Sequence, residues 1–283
     1  PAVVRFRRLP AAHQDAKFNA LAAIQLGDTI WQTCPSLPRA PFLPAAQGVW
    51  GAAAPLGDIF LSDSSGVLSG RTWVIAPDGE SLRERWRRLR DETDPTRKEV
   101  LFHPTLRGGE LADRHTNKVV RDGLTGHEFR NYTVASDRGE AVPPVRYAFR
   151  TLDRQWIIPD NRLLLSARPE LWAAHSDQQI FVTALMAHSP TDGPALSFSA
   201  IVPDQHHYKG SFGGRAFALW ADRTASQPNI RPALLAALSE QLDTPVSAPD
   251  LLAYIAAIAA NPAYTARFQP DLIQPGLRIP LTE

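Results

Sequence analysis

The chain has 283 residues, of which 44% are apolar and 21% charged, and its formal net charge is +1. That composition is enough to bury a core, and it excludes a transmembrane helix, because no run of about eighteen apolar residues occurs. The one cysteine, Cys34, excludes an internal disulfide framework and a cysteine-built zinc site.

The opening Pro1-Ala2-Val3-Val4-Arg5-Phe6-Arg7-Arg8 has no initiator Met and no secretory pattern. It reads as the start of a fragment or of a processed product, and with the lone cysteine it places the protein in the cytoplasm. Cys34 itself reads as a small buried hydrophobe. Charge is uneven along the chain. Residues 232–283 hold Arg267 and Arg278 against five acidic residues, which leaves residues 1–231 at +4. Most of the basic residues are Arg, a better fork than Lys for phosphates and guanine edges. The same bias also follows from GC-rich coding.

Phe18, Leu21 and Ala22 sit at helical spacing, which predicts a short amphipathic helix over residues 14–26, stopped at Gly27. Pro35, Pro38, Pro41 and Pro44 then enforce an extended strap. Residues 56–60 read as a short apolar element and residues 72–76 as a strand ended by Pro77-Asp78-Gly79. The next helix runs to about Arg90, with Ser81 as its cap and Leu82, Trp86 and Leu89 on its buried side. Its Arg83, Arg87 and Arg90 are either a solvated face partnered by Glu84 and Asp91, or a phosphate-tracking edge.

Residues 103–140 are polar and glycine-punctuated. They carry Arg107, Arg114, Asn117, Lys118 and Arg121, side chains of the types that read base edges and hold phosphates. The alternative is an insertion that touches nothing. Residues 145–149, 155–158, 179–183, 196–202 and 216–220 read as strands, and residues 169–174 as a short helix. Arg154 and Trp156 read as a cation–π pair of the core or as a base-stacking pair. From Pro232 onward the chain is helical, with one helix over residues 233–241 and another capped by Asp250 and stopped at Asn261-Pro262. A further turn or short helix covers residues 263–268.

Together these elements predict an α+β fold: a mixed, largely antiparallel twisted sheet with flanking helices and a helical C-terminal segment. They divide into a connector over 1–55, a core over 56–231 and a helical subdomain over 232–283.

Catalytic patterns are missing from the sequence. No glycine-rich methyl-donor loop or Asn/Asp-Pro-Pro-aromatic loop occurs. Gly210-Ser211-Phe212-Gly213-Gly214 lacks the Lys-Ser/Thr ending of a phosphate loop. No Gly-x-Ser-x-Gly elbow occurs, and Cys34 has no nucleophile context. Asp204-Gln205-His206-His207 offers a carboxylate and two imidazoles, but adjacent residues of a strand face opposite ways, so no metal site is expected.

Several segments in order resemble a known family. These are Leu56-Gly57-Asp58-Ile59-Phe60, Ser64-Ser65-Gly66-Val67, Arg71-Thr72, Val145-Arg146-Tyr147-Ala148-Phe149-Arg150-Thr151-Leu152-Asp153-Arg154-Gln155-Trp156-Ile157, Arg168-Pro169 with His175, and Ile201-Val202-Pro203-Asp204-Gln205-His206-His207. The closing Asn261-Pro262-Ala263-Tyr264-Thr265-Ala266-Arg267-Phe268 and Arg278-Ile279-Pro280-Leu281 complete the set. They resemble the C-terminal specificity region of Type ISP restriction–modification enzymes and related adenine-specific DNA methyltransferases. Leu152 stands where that family usually has Phe, and Thr151 where Pro is common.

The resemblance implies sequence-specific recognition of double-stranded DNA in a restriction–modification or phage-defence system. It implies an S-adenosylmethionine-dependent adenine-N6 methyltransferase domain upstream, outside this chain, as cofactor site and partner. No cofactor, metal or membrane is expected for the chain itself. The expected DNA contacts are Arg107, Arg114, Asn117, Lys118, Arg121, His206, His207, Lys209 and Arg215. The rival reading is a coupling or scaffold domain of the same enzyme with little direct readout. A self-sufficient hydrolase has no constellation behind it.

Overall fold

The computed structural model describes residues 3–10, 12–36, 42–44, 46, 48–102, 116–185, 192–208, 214–272 and 276–281. Two compact units result, one of residues 1–53 with 280–283 and one of residues 54–279.

In the first unit, β1 (Arg5–Phe6) precedes α1 (Gln14–Ala22), β2 (Gln32–Thr33) and α2 (Gly48–Ala52). β1 and β2 pair antiparallel, Arg5 opposite Thr33. The Cys34 amide extends that ladder to the Val4 carbonyl at 2.9 Å, and Cys34 is buried as the sequence suggests. α1 is shorter than expected and none of its residues is buried; Phe18 is 57% exposed. Two large apolar residues spaced by three make too narrow a stripe to anchor a helix whose other side chains are polar or small. Residues 37–41 of the proline strap lie outside the described residues.

The second unit opens with β3 (Ala54–Pro55) and α3 (Leu56–Ile59), whose Leu56 and Ile59 are buried. The expected strand over residues 72–76 is instead a 3-10 turn, Thr72–Val74, followed by the short β4 (Ile75–Ala76). α4 (Gly79–Asp91) follows, capped by Asp78, whose carboxylate accepts from the Ser81 amide at 2.7 Å. The cap therefore lies three residues before Ser81, and Ser81 is the donor. The apolar spacing reads out as expected: Leu82, Trp86 and Leu89 are buried, and Trp86 Nε1 donates to the Gly139 carbonyl at 2.9 Å.

After α5 (Pro95–Phe102), β5 (Val145–Ala148) and β6 (Arg154–Ile157) form a hairpin, and β4 adds to the other edge of β6 in the order β4-β6-β5. α6 (Pro169–Ala174) leads to β7 (Phe181–Leu185), β8 (Leu196–Ser199) and β9 (Gly214–Ala218), which pair in the order β8-β7-β9. All of these ladders are antiparallel. The fold is α+β as expected, with its antiparallel pairing divided among separate small sheets. α7 (Pro232–Gln241), α8 (Ala248–Ala259) and α9 (Pro262–Leu272) come next, and β10 (Arg278–Ile279) returns to pair with β3. Ser247 and Asp250 form a reciprocal capping box at the start of α8.

The main core gathers Trp86, Phe102, Tyr147, Leu163, Trp172 and Phe181, so α4, the β5–β6 hairpin, α6 and β7 share one apolar centre. A charged network is buried beside it. Asp137 accepts from Arg130 and from Arg162, each at 2.8 Å, and Arg162 also grips Asp160 at 2.6 Å. The side chains of Asp137 and Arg162 are completely shielded from solvent. Such a cluster is tolerated because each charge has an opposite partner within hydrogen-bond reach.

Candidate nucleic-acid interface

The four-residue pairing of β5 and β6 ends at Ala148 opposite Arg154, which leaves residues 149–153 as the hairpin tip. The tip is held from several sides. Arg150 and Asp153 exchange backbone hydrogen bonds, both at 3.1 Å. Arg154 Nη1 donates to the carbonyls of Arg150, at 2.9 Å, and Thr151, at 3.1 Å. Thr151 in turn bonds to the carbonyl of His207. The hairpin tip and the turn over residues 204–208 are thus one built surface.

Asp204 is the centre of that turn. It is buried, and its carboxylate accepts from Tyr147 Oη at 2.6 Å, Arg150 Nη1 at 3.1 Å and the His206 amide at 2.6 Å. Burial raises its pKa; the bonds from Tyr147 and the His206 amide and the charge of Arg150 oppose the rise. His207 is buried, with Nδ1 3.3 Å from the Ala148 carbonyl and Nε2 3.2 Å from Ser197 Oγ. A carbonyl only accepts, so Nδ1 carries the proton and the neutral ring takes the Ser197 hydroxyl at Nε2. Burial favours that neutral form by lowering the pKa. The Ser197–His207 contact looks like half a nucleophile–base pair. Its orienting partner is a carbonyl, however, and the nearby Asp204 is committed elsewhere. His207 therefore ties β8 to β5.

β9 starts beside this turn, with the Gly214 amide donating to the Gln205 carbonyl at 3.3 Å. The next residue, Arg215, forms an ion pair with Asp63. Asp63 lies on the rim of a cleft of about 150 Å³ whose polar walls are Ser62, Ser64, Glu170 and Asn229. These walls are bonded among themselves, Ser64 to Glu170 at 2.8 Å and Ser62 to Asn229 at 2.9 Å.

Of the residues expected to contact DNA, His206, His207 and Arg215 are brought together around the 204–208 turn. Asn117, Lys118 and Arg121 lie on a different stretch. Asn117 and Arg121 are exposed, while Lys118 Nζ donates to the carbonyls of Asn161, at 2.9 Å, and Leu164, at 2.7 Å, and so clamps this stretch down. Arg107, Arg114 and Lys209 lie outside the described residues.

The α4 arginines take the solvated form of the two sequence readings. Arg83 and Arg87 pair with Glu80, Arg87 also with Glu84, and Arg90 with Asp91 and Glu140. Trp156 has Arg146, not Arg154, over its ring at 5.5 Å, because Arg146 is its cross-strand neighbour. The sequence reading missed the hairpin tip as a surface feature. Its signal was Leu152, an apolar residue between Arg150 and Arg154 in a turn.

Further round the same unit, His127 meets the edge of Trp172 at 5.1 Å and His175 stacks on Phe181 at 6.4 Å, with Arg223 nearby. Burial, helped by the Arg223 charge, pushes His127 down to about 4 and His175 below its ordinary range. Among the described residues no group of three His, Cys, Asp or Glu side chains could hold a metal ion. No helix there is long and apolar enough to cross a membrane.

An α+β unit with small antiparallel sheets and a polar turn surface defines a class of folds. The family model for the Type ISP C-terminal specificity domain matches residues 58–283, and the chain belongs to that family. Its fold is similar to a cryo-EM structure of a DrdV–DNA complex, with a TM-score of 0.55 and 14% identity over 95% of this chain. It is also similar to the ATP-dependent Type ISP restriction–modification enzyme LlaBIII bound to DNA, with a TM-score of 0.56 and 11% identity over 90% of this chain. The chain spans 28% and 17% of those two proteins. No curated protein matches it.

Proposed function

We propose that this chain is the DNA target-recognition domain of a restriction–modification enzyme and reads double-stranded DNA in a sequence-specific way. The observation that carries the reading is the specificity-domain match over residues 58–283. Two further points support it. The solved proteins of similar fold are described as DNA complexes. The 204–208 turn also sets His206 beside a hairpin that carries Arg150 in its tip and Arg154 at the start of β6, with Arg215 on the adjoining β9. In this reading Asn117, Arg121, His206 and Arg215 meet the duplex, with Arg107, Arg114 and Lys209 as further contacts. Lys118 and His207 act by holding their segments in place. Cations fix the register on phosphates while amide, imidazole and guanidinium groups read base edges.

The same proposal assigns the chemistry to a partner domain of the parent chain. That domain binds S-adenosylmethionine and methylates adenine at N6, in the cytoplasm and as part of phage defence. A second reading, coupling between protein modules, has one observation in its favour: the Ala- and Leu-rich α7 buries none of its residues.

The test is selection of bound duplexes from a randomised pool by the purified chain, followed by a salt series on the enriched sequence. A recognition domain enriches one common sequence, and its affinity falls steeply and linearly on a logarithmic salt axis. A pool that stays random after repeated selection overturns the proposal in favour of the coupling role.

A further inference from the structure

The β5–β6 hairpin ends in a leucine that the fold holds out into solvent. Leu152 is 96% exposed, the most exposed of the described large apolar side chains. A lone surface leucine needs no explanation, but the construction under this one is specific. The backbone on both sides is fixed by the paired bonds of Arg150 and Asp153 and by the Thr151 bonds to His207. Arg154 reaches back beneath the tip to the carbonyls of Arg150 and Thr151. A turn tied this closely presents its apolar side chain in one place, so insertion costs little further ordering.

The surroundings choose the occupant. The hairpin carries Arg146, Arg150 and Arg154 against its own Asp153, and Arg150 is paired with the buried Asp204 at 3.1 Å. Arg154 donates to the neutral carbonyls of Arg150 and Thr151, and Arg146 is exposed over the Trp156 ring. His206 stands next to the residue that anchors Thr151. An apolar point within a basic surround suits a polyanion with an apolar interior, which is a base-paired duplex. Side chains of this kind enter between base steps and unstack them, while the flanking cations hold the phosphates.

We infer that Leu152 is a wedge that enters the base stack of bound DNA, an inference that rests on the DNA-recognition reading and adds a positioning residue to it. Its task is to open or bend the duplex where the target is presented. Arg146 and Arg154 supply the charge for the neighbouring phosphates, Arg150 being held by Asp204, and Leu152 takes the space between two base pairs.

The test measures binding of the full chain to a mixed-sequence duplex and to the same duplex with one central abasic site. An abasic site removes most of the unstacking cost, so the wild-type chain should prefer it by about tenfold. Leu152→Ala should bring the two affinities together, with an unchanged urea midpoint because the side chain is fully exposed. Leu152→Phe should keep the preference. A wild-type chain that binds both duplexes equally, or a Leu152→Ala chain that keeps the preference, overturns the inference and leaves the tip to a protein partner. Absence of salt-dependent binding to either duplex overturns the DNA-recognition reading and this inference with it.

Discussion

Thr151 donates both its backbone amide, at 2.9 Å, and its hydroxyl, at 3.1 Å, to the carbonyl of His207. The two residues are far apart in sequence, and this double bond makes the β5–β6 hairpin tip and the 204–208 turn a single surface. His207 is itself fixed through its ring to Ala148 and Ser197. The tip is therefore seated on β8 as well as on its own strands.

Thr151→Val removes the hydroxyl bond and keeps both shape and the amide bond. The expected loss of stability is about 1 kcal/mol, the net contribution of one such hydrogen bond. Urea denaturation gives the loss, and hydrogen exchange at the Thr151 amide should speed up. An unchanged exchange rate would show that the tip is held without the hydroxyl.

Asp137 bridges Arg130 and Arg162 in the interior, so Asp137→Asn leaves two guanidinium groups with less opposing charge. Breaking a buried pair in this way costs about 3–5 kcal/mol. Glu128→Gln, on the half-exposed side of the same network, should cost less than about 1 kcal/mol. Thermal melts of the two variants compare them directly. Equal losses would mean that burial does not set the strength of this network.

The sequence made the local part of this architecture legible. Leu82, Trp86 and Leu89 announce α4 because all three spacings fit one helix face. Residues 145–149 and 155–158 announce strands by alternation, and the strands run over Val145–Ala148 and Arg154–Ile157. The family segments that include Tyr147 and Asp204 mark residues whose side chains meet in space. Reading failed where the deciding contact is distant. Residues 72–74 have strand-like composition, but they form a 3-10 turn that buries Val74 and leaves Thr72 exposed. Asp137 and Arg162 are 25 positions apart, and no periodicity pairs them. Arg146 and Trp156 become partners only through the hairpin register. For the site, residue type indicated which side chains can contact a polyanion, but not that Lys118 spends its ammonium on Asn161 and Leu164, or that Asp63 holds Arg215.

Gly66 has φ of +79°, and a Cβ there would lie 2.7 Å from the Asp204 carbonyl group. The close approach is where residues 66–67 run beside the turn, with Val67 bridged to Asp204. Gly66→Ala combines a left-handed backbone with a collision against main chain that cannot swing aside. A loss of about 1–3 kcal/mol is expected. The same change at Gly193, which has φ of +71° and no atom near its Cβ position, should cost less. Denaturant midpoints for the two variants test whether the Asp204 contact is what matters.

Acid should weaken the fold before its carboxylates titrate. His127, His175 and His207 all have folded pKa values below the ordinary 6.5, with burial as the first cause. In the unfolded chain they take up protons as pH drops through 6.5, while in the folded chain they resist, His127 down to about 4. Between those values the unfolded state holds more protons, so stability falls with falling pH. Asp204 works against this at the lower end, because its raised pKa makes the folded state the better proton binder there. Urea midpoints measured from pH 7 down to about pH 4.5 should decline, within the histidine window. His127→Phe should flatten the decline. A flat wild-type profile would show that the buried imidazoles are solvated.

Asp63 and Arg215 form an ion pair whose side chains are 26% and 40% exposed, beside the turn that carries His206. A pair this open contributes little to stability, about 0–1 kcal/mol. It does occupy a guanidinium that the DNA reading needs on the duplex. Asp63→Asn should therefore leave the urea midpoint nearly unchanged and tighten duplex binding by up to about fivefold, since it frees Arg215 and removes an anion facing phosphate. Arg215→Ala should weaken binding and reduce the logarithmic salt slope by about one unit, as expected for one lost phosphate contact. Equilibrium binding at several salt concentrations separates the cases. If Asp63→Asn weakens binding, then Asp63 is holding Arg215 in its productive position. If neither change alters affinity, then Arg215 faces away from the DNA.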